Sequence, residues 1–190
     1  MVKKMILNNR YRLPEERLEI QPIKLENAHD FVALKGTHKL LIGKYNHEVA
    51  GGDLYVAFHN LCDYWSANEV LGGGELVPDR TMVFQGVRFY FEIDLGNMDE
   101  ARLRSKIDRY RRYAGTGEKV VFVLKDGMYK IESTATWILS YAASLRLGNF
   151  VTVAVHDRIT KDPLGQVIGS PKDGRITITD LCSPQSYSAS

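Results

Sequence analysis

Cysteine is almost absent: the 190-residue chain carries two, Cys62 and Cys182. They lie far apart and have no metal-ligand spacing, so they read as reduced thiols of a cytoplasmic protein and not as a secreted disulfide framework. Long apolar runs are missing too. None approaches the roughly 20 residues of a membrane span, and the opening MVKKMILNNRYR lacks the apolar stretch of a signal peptide. No excess of one charge stands out, since 25 Lys and Arg face 23 Asp and Glu for a net +2. That balance is too weak to mark a nucleic-acid protein by itself. No G-x-S-x-G and no Cys/His pairing supports acyl transfer. The glycine-rich GGGELVPD lacks the lysine of a phosphate loop. There is no internal repeat, and no low-complexity segment beyond the C-terminal tail.

What is present is a globular composition, 44% hydrophobic and 25% charged, in a chain long enough for one core without staples. Residues 1–44 read as an N-terminal extension, 45–182 as one α/β domain and 183–190 as a flexible tail. In the extension Glu26–Gly36 suits a short helix ended by Gly36. From Tyr45 onward Leu54, Tyr55, Phe58, Leu61 and Cys62 form a helical stripe that puts Asp53 near the helix start. RTMVFQGVRFYFEIDL reads as a hairpin of Thr81–Phe84 and Val87–Ile93 turning at Gln85-Gly86. In its second strand Arg88, Tyr90 and Glu92 share one face, and Val87, Phe89, Phe91 and Ile93 the other. A helix follows, capped by Asn97 with Glu100 and carrying the stripe Leu103, Ile107, Tyr110, Ala114 up to Gly115 and Gly117. KVVFVL (Lys119–Leu124) is a buried strand. STATWILSYAASLRL is an apolar helix with Ser133 and Thr134 as cap candidates, and NFVTVAVHD is another strand. The remainder reads as a looped extension that ends in one short strand, ITIT, between Arg175 and Asp180. The order predicts a three-layer α/β arrangement with a mixed central sheet.

Two constellations carry chemistry. In the hairpin Asp79 falls almost opposite Glu92, and Asp94 follows on the same face. Carboxylates converging at a Val/Phe/Tyr-rich sheet end call for a cation, and oxygen donors suit Mg²⁺ or Mn²⁺. The alternative is that they are solvated strand ends beside Arg80 and Arg88. The other constellation is the helix bearing Arg102, Arg104, Lys106, Arg109, Arg111 and Arg112 against Asp108 alone. Such a stripe can neutralise backbone phosphates, or it can be a solvated face with pairs such as Glu100–Arg104. His47 stands just before the first helix. His29, His38, His59 and His156 show no ligand spacing.

VPD…FEID followed by RLRSKIDRYRRY resembles the P-D…(D/E)-x-K nuclease superfamily, and within it the replication-relaxation family of plasmids, phages and other mobile elements. The resemblance runs from about Tyr45 to Lys125, through NHEVAGGDLYVAF, Pro78-Asp79, Glu92-Ile93-Asp94-Leu95-Gly96 and Lys106-Ile107-Asp108-Arg109-Tyr110, and more loosely over DPLGQVIG. It implies a restriction-endonuclease-like αβββαβ core and hydrolysis of DNA phosphodiesters. Asp79 and Glu92 would hold Mg²⁺ or Mn²⁺ with help from Asp94 and Asp53, and Arg102, Arg104, Arg109, Arg111 and Arg112 would contact DNA. Asp94 stands where the superfamily has its lysine, and Lys106 on the following helix is the substitute. The expected partners are DNA, replication or transfer proteins of the element, and a second copy of the chain, with no membrane. The other reading is a catalytically inactive DNA-binding or assembly module that keeps the fold.

Overall fold

The computed structural model describes residues 20–24, 30–34, 42–114, 117–125, 127, 130–169 and 175–182. It divides into two compact units, Met1–Tyr45 and Asn46–Ser190. In the first, β1 (Ile20–Lys24) and β2 (Asp30–Leu34) pair antiparallel, Ile20 opposite Leu34 and Lys24 opposite Asp30. Within the segment expected to be a helix, Glu26–Gly36, Asp30–Leu34 are therefore a strand, and the rest lies outside the described residues. The segment has Gly36 as a stop but no apolar stripe at helical spacing, and IQPIK supplies a partner ladder. Pro22 is compatible with that ladder because each strand of a two-stranded ribbon keeps an unpaired edge.

The larger unit is built on one sheet, in the order β3 (Tyr64–Ala67), β4 (Arg80–Phe84), β5 (Val87–Asp94), β6 (Lys119–Leu124), β7 (Val151–Val155), β8 (Gln166–Ile168) and β9 (Arg175–Thr177). The first five strands form its body, and β8 and β9 add a short border. Strands β3, β4 and β5 meander antiparallel, β5, β6 and β7 run parallel, and the border is antiparallel again. This is the expected mixed α/β architecture. The hairpin turns where the sequence put it. Gln85 and Gly86 have φ of 50° and 76°, the paired left-handed conformation that suits the twist of a two-residue turn.

Helices cover both faces. Because β5, β6 and β7 advance in one direction, their two crossovers place α2 (Glu100–Tyr110) and α3 (Ile131–Ser144) on the same side. There Leu103, Ile107 and Tyr110 pack with Tyr90, Val120 and Phe122. The other face holds α1 (Ile42–Phe58), α4 (His156–Lys161) and α5 (Ile178–Cys182), with Leu54, Phe58 and Ile159 against Phe89, Phe91 and Val121. The strict alternation along β5 and β6 decides which residue enters which core.

Several boundaries differ from expectation. Helix α1 starts earlier than its stripe suggested, so Asp53 lies well inside it on the exposed side, and Leu61 lies beyond its end. Its buried line is Ala50, Leu54 and Phe58, while Tyr55 is 48% exposed. The cap of α2 is Asp99, whose carboxylate accepts from the Arg102 amide at 2.8 Å, and not Asn97. This helix ends at Tyr110 in a tight turn, Arg111–Tyr113. Helix α3 begins at Ile131, one turn before the Ser133 and Thr134 candidates, and the Ser133 hydroxyl donates back to the Lys130 carbonyl. The stretch expected to be looped contains α4, β8 and α5, all short and hydrophobic enough to close the α1 face. The C-terminal tail lies outside the described residues.

Candidate functional site

The ladder between β4 and β5 pairs Arg80 with Phe91, so Asp79, one residue before the strand, sits across from Glu92. Alternation turns Glu92 toward α2. There it is fully buried, and both its oxygens are engaged. The Lys106 ammonium donates to Oε2, and the Tyr110 hydroxyl donates to Oε1 at 2.7 Å. The same ammonium lies 3.8 Å from Oδ2 of Asp79. Lys106 and Tyr110 are neighbours on one helical face at i, i+4, and α2 brings both to a single carboxylate.

Asp79 is held from three directions. Its Oδ2 accepts from the Ile93 amide at 2.7 Å, and Nε2 of His47 on α1 lies 3.1 Å from the same oxygen. Lys106 is the third contact.

The two carboxylates respond differently to these surroundings. Burial pushes Glu92 up to about 7, against the pull of Lys106 and Tyr110. Burial also acts on Asp79, but the His47 hydrogen bond, the Lys106 charge and the Ile93 amide outweigh it, and its carboxyl is held below the usual range. The Asp79 hydrogen bond in turn raises His47 above an ordinary imidazole. Burial and the Glu92 charge push the Tyr110 hydroxyl far up, so it stays a donor.

The other expected acids are placed elsewhere. Asp94 is buried, and its Oδ1 accepts from the amides of Gly96, Asn97 and Met98 at 2.9, 3.1 and 3.2 Å. It ties the turn that leads into α2, while Oδ2 has no hydrogen-bond partner among the described residues. Asp94→Ala therefore releases three backbone donors and lowers stability by about 2 kcal/mol, measurable by urea unfolding. Asp53 is exposed on α1, 3.8 Å from His156. Among the described residues no group of three or more His, Cys, Asp or Glu side chains is arranged to hold a metal. Two carboxylates do converge, because Asp79 and Glu92 meet one ammonium. Mg²⁺ takes one or two protein carboxylates, with waters and substrate phosphate completing its shell; here the Lys106 ammonium stands between the two.

The arginines divide by helix face. At about 100° per residue, Arg102 and Arg109 lie about 40° and 60° from Lys106, on the side away from the buried stripe. Arg104 is on the far flank, paired with Glu100 at 3.2 Å and stacked 4.8 Å from the Tyr141 ring. Arg112 pairs with Glu75, and Arg111 is exposed.

Residues 38–121 match the replication-relaxation family model. The matched segment takes in His47, Asp79, Glu92, Lys106 and Tyr110, so each of these side chains falls within it. No curated protein and no solved structure matches the chain. Among the described residues no helix is long and apolar enough to cross a membrane.

The sequence alone assigns no role at this site to His47, Tyr110 or Arg80. His47, expected just before the first helix, lies inside α1; Tyr110 reads as a core aromatic, and Arg80, whose Nη1 donates to the Asp79 carbonyl at 2.6 Å, as a charge beside the acids. A signal for Arg80 did exist: Gly51, a glycine inside a helix, marks the close approach of its guanidinium, while the neighbouring Gly52 faces open space.

Proposed function

We propose that this chain is a DNA-binding, metal-dependent nuclease-like protein serving replication of a plasmid, phage or other mobile element. The observation that carries the reading is the Lys106 ammonium set on both Asp79 and Glu92. A lysine moved from the strand to the next helix thus reaches the acid pair it would serve. The order α1, β3, β4, β5, α2, β6 further supports a restriction-endonuclease-like core. Asp79 and Glu92 would hold Mg²⁺ or Mn²⁺, which when bound supplies an acidified water and a clamp on phosphate oxygens. Lys106 offsets charge on the scissile phosphate and donates to the attacking water. His47 and the Ile93 amide fix the Asp79 carboxylate, and Tyr110 fixes that of Glu92. Arg102 and Arg109, on the Lys106 side of α2, approach the flanking phosphates.

The test is incubation of the purified protein with supercoiled and linear DNA in Mg²⁺, Mn²⁺ or EDTA. Cleavage in the metal-containing reactions alone is expected. Binding without cleavage would assign the chain to the inactive module. A second measurement follows the phosphates. The double variant Arg102→Gln/Arg109→Gln weakens binding to all duplexes alike and flattens the log-affinity against log-salt slope by about 2. Arg104→Gln, paired and stacked away from the site, changes that slope by less. Equal slopes in wild type and double variant would remove α2 from the DNA interface.

A further inference from the structure

We infer that Arg80 is a positioning residue, which from beneath α1 holds both the Asp79 backbone and the helical turn that presents His47, and that Gly51 is there to let it through. Arg80 faces the α1 side of β4, in the company of Met82 and Phe91, and is 4% exposed. Its Nη1 donates to the carbonyl of Asp79 at 2.6 Å, and its Nη2 donates to Oε2 of Glu48 at 2.8 Å. Glu48 is the residue after His47. One guanidinium therefore joins the peptide of Asp79 to the turn of α1 whose imidazole bonds the Asp79 carboxylate.

Stability alone does not account for this arrangement. Burying a guanidinium is costly, and here its carboxylate partner Glu48 is half exposed, so the pair recovers little of that cost. A glycine in a helix interior costs about 1 kcal/mol relative to alanine. Here the two costs are adjacent, because a Cβ on Gly51 would lie inside the guanidinium of Arg80. Arg80 has little room to withdraw, being buried and bonded at both ends. The two unfavourable choices make sense together if the register between α1 and Asp79 is what they secure.

The effect on turnover rests on the nuclease reading above; the effect on the Asp79–His47 contact does not. Arg80→Met is the primary variant, since it fills the apolar face and leaves Glu48, which is 50% exposed, free to turn to solvent, so the melting temperature should stay near that of the wild type. At fixed pH, the ¹⁵N signal of His47 Nε2 should move toward that of an unbonded imidazole. DNA turnover should fall about 10- to 100-fold with KM unchanged, as expected when reacting groups are misplaced by a fraction of an ångström to 1 Å. Gly51→Ala should shift the same signal, with a lower melting temperature. Gly51→Ala/Arg80→Met should recover the melting temperature but not the signal. Arg80→Lys, which can reach the Asp79 carbonyl, should recover part of it. An Arg80→Met protein whose His47 signal matches the wild type would overturn the inference, whatever its activity. A wild type that cleaves no DNA would overturn the nuclease reading, and the His47 signal would still decide the role of Arg80.

Discussion

Glu92→Gln removes the loss of about 3 kcal/mol in stability that the wild type shows between pH 4.5 and pH 8, and on the proposed nuclease reading it abolishes cleavage. The carboxyl of Glu92 is raised from about 4.5 to about 7 by burial. In that interval the native state holds a proton that the unfolded state has released. The group's contribution is therefore whole below pH 4.5 and is lost as pH rises through 7. His47, also raised, adds a smaller fall of the same sign through its own titration. Asp79 acts oppositely, but only in acid, because its lowered carboxyl stabilises the fold above its unfolded pKa and ceases to do so as pH falls through the folded one. Glutamine keeps the shape and still accepts from Tyr110, so the fold survives. Alanine would be a poorer probe, since it would strand both Tyr110 and Lys106. Urea unfolding at pH 5 and pH 8, with a plasmid-nicking assay beside it, reads both effects. A Gln variant with the wild-type pH slope would show that Glu92 is not the titrating group.

Lys106→Met lowers stability by about 3 kcal/mol at pH 8, a fall in Tm of about 6–12 °C, and by clearly less at pH 6. Removing the ammonium leaves a fully buried carboxylate uncompensated and Asp79 beside it. Lys106 is itself a quarter exposed, which keeps the effect at the low end for a buried pair. At pH 6 Glu92 takes up a proton, and much of the cost disappears. Millimolar Mn²⁺ should raise the Tm of Lys106→Met more than that of the wild type, because the carboxylates have lost the cation that competed for them. Thermal unfolding at the two pH values, with and without Mn²⁺, gives four numbers. Equal losses at pH 6 and pH 8 would show that Lys106 acts through packing and not through charge.

The hairpin, the buried strands and the two α2-side helices were legible because their signals are local. Alternation in VRFYFEID assigns Glu92 and Phe91 to opposite cores, and the Gln85-Gly86 turn sets the register that brings Asp79 to Glu92. Lys106 could be placed on the flank of a buried stripe by helix geometry alone. Asp94 could not be resolved this way. Sharing a face with Glu92 says nothing of the three amides in the next turn that capture its oxygen. Asp53 was misjudged in position because the first turns of α1, IGKYNHE, do not extend the Leu54–Phe58 stripe, which shifted the apparent helix downstream. The first-unit strand Asp30–Leu34 depended on its pairing with Ile20–Lys24, and such short ribbons carry little periodicity. His47 and Arg80 act across the gap between α1 and the sheet, a distance that no spacing in the chain encodes.

The seven strands lie side by side in the order in which the chain is synthesised. Each strand meets a neighbour that has just emerged, and none must be threaded between two already paired, which keeps loop closure cheap and folding rapid for a sheet of this size. At about 5–20 residues per second, the ribosome releases Asp79 and Glu92 on the order of a second before Lys106. For that interval the nascent hairpin carries two facing carboxylates without the ammonium that will bridge them. Docking of α2 is then the event that discharges it, so the last element to reach the acid pair is also the one that commits the hairpin to its place in the growing sheet.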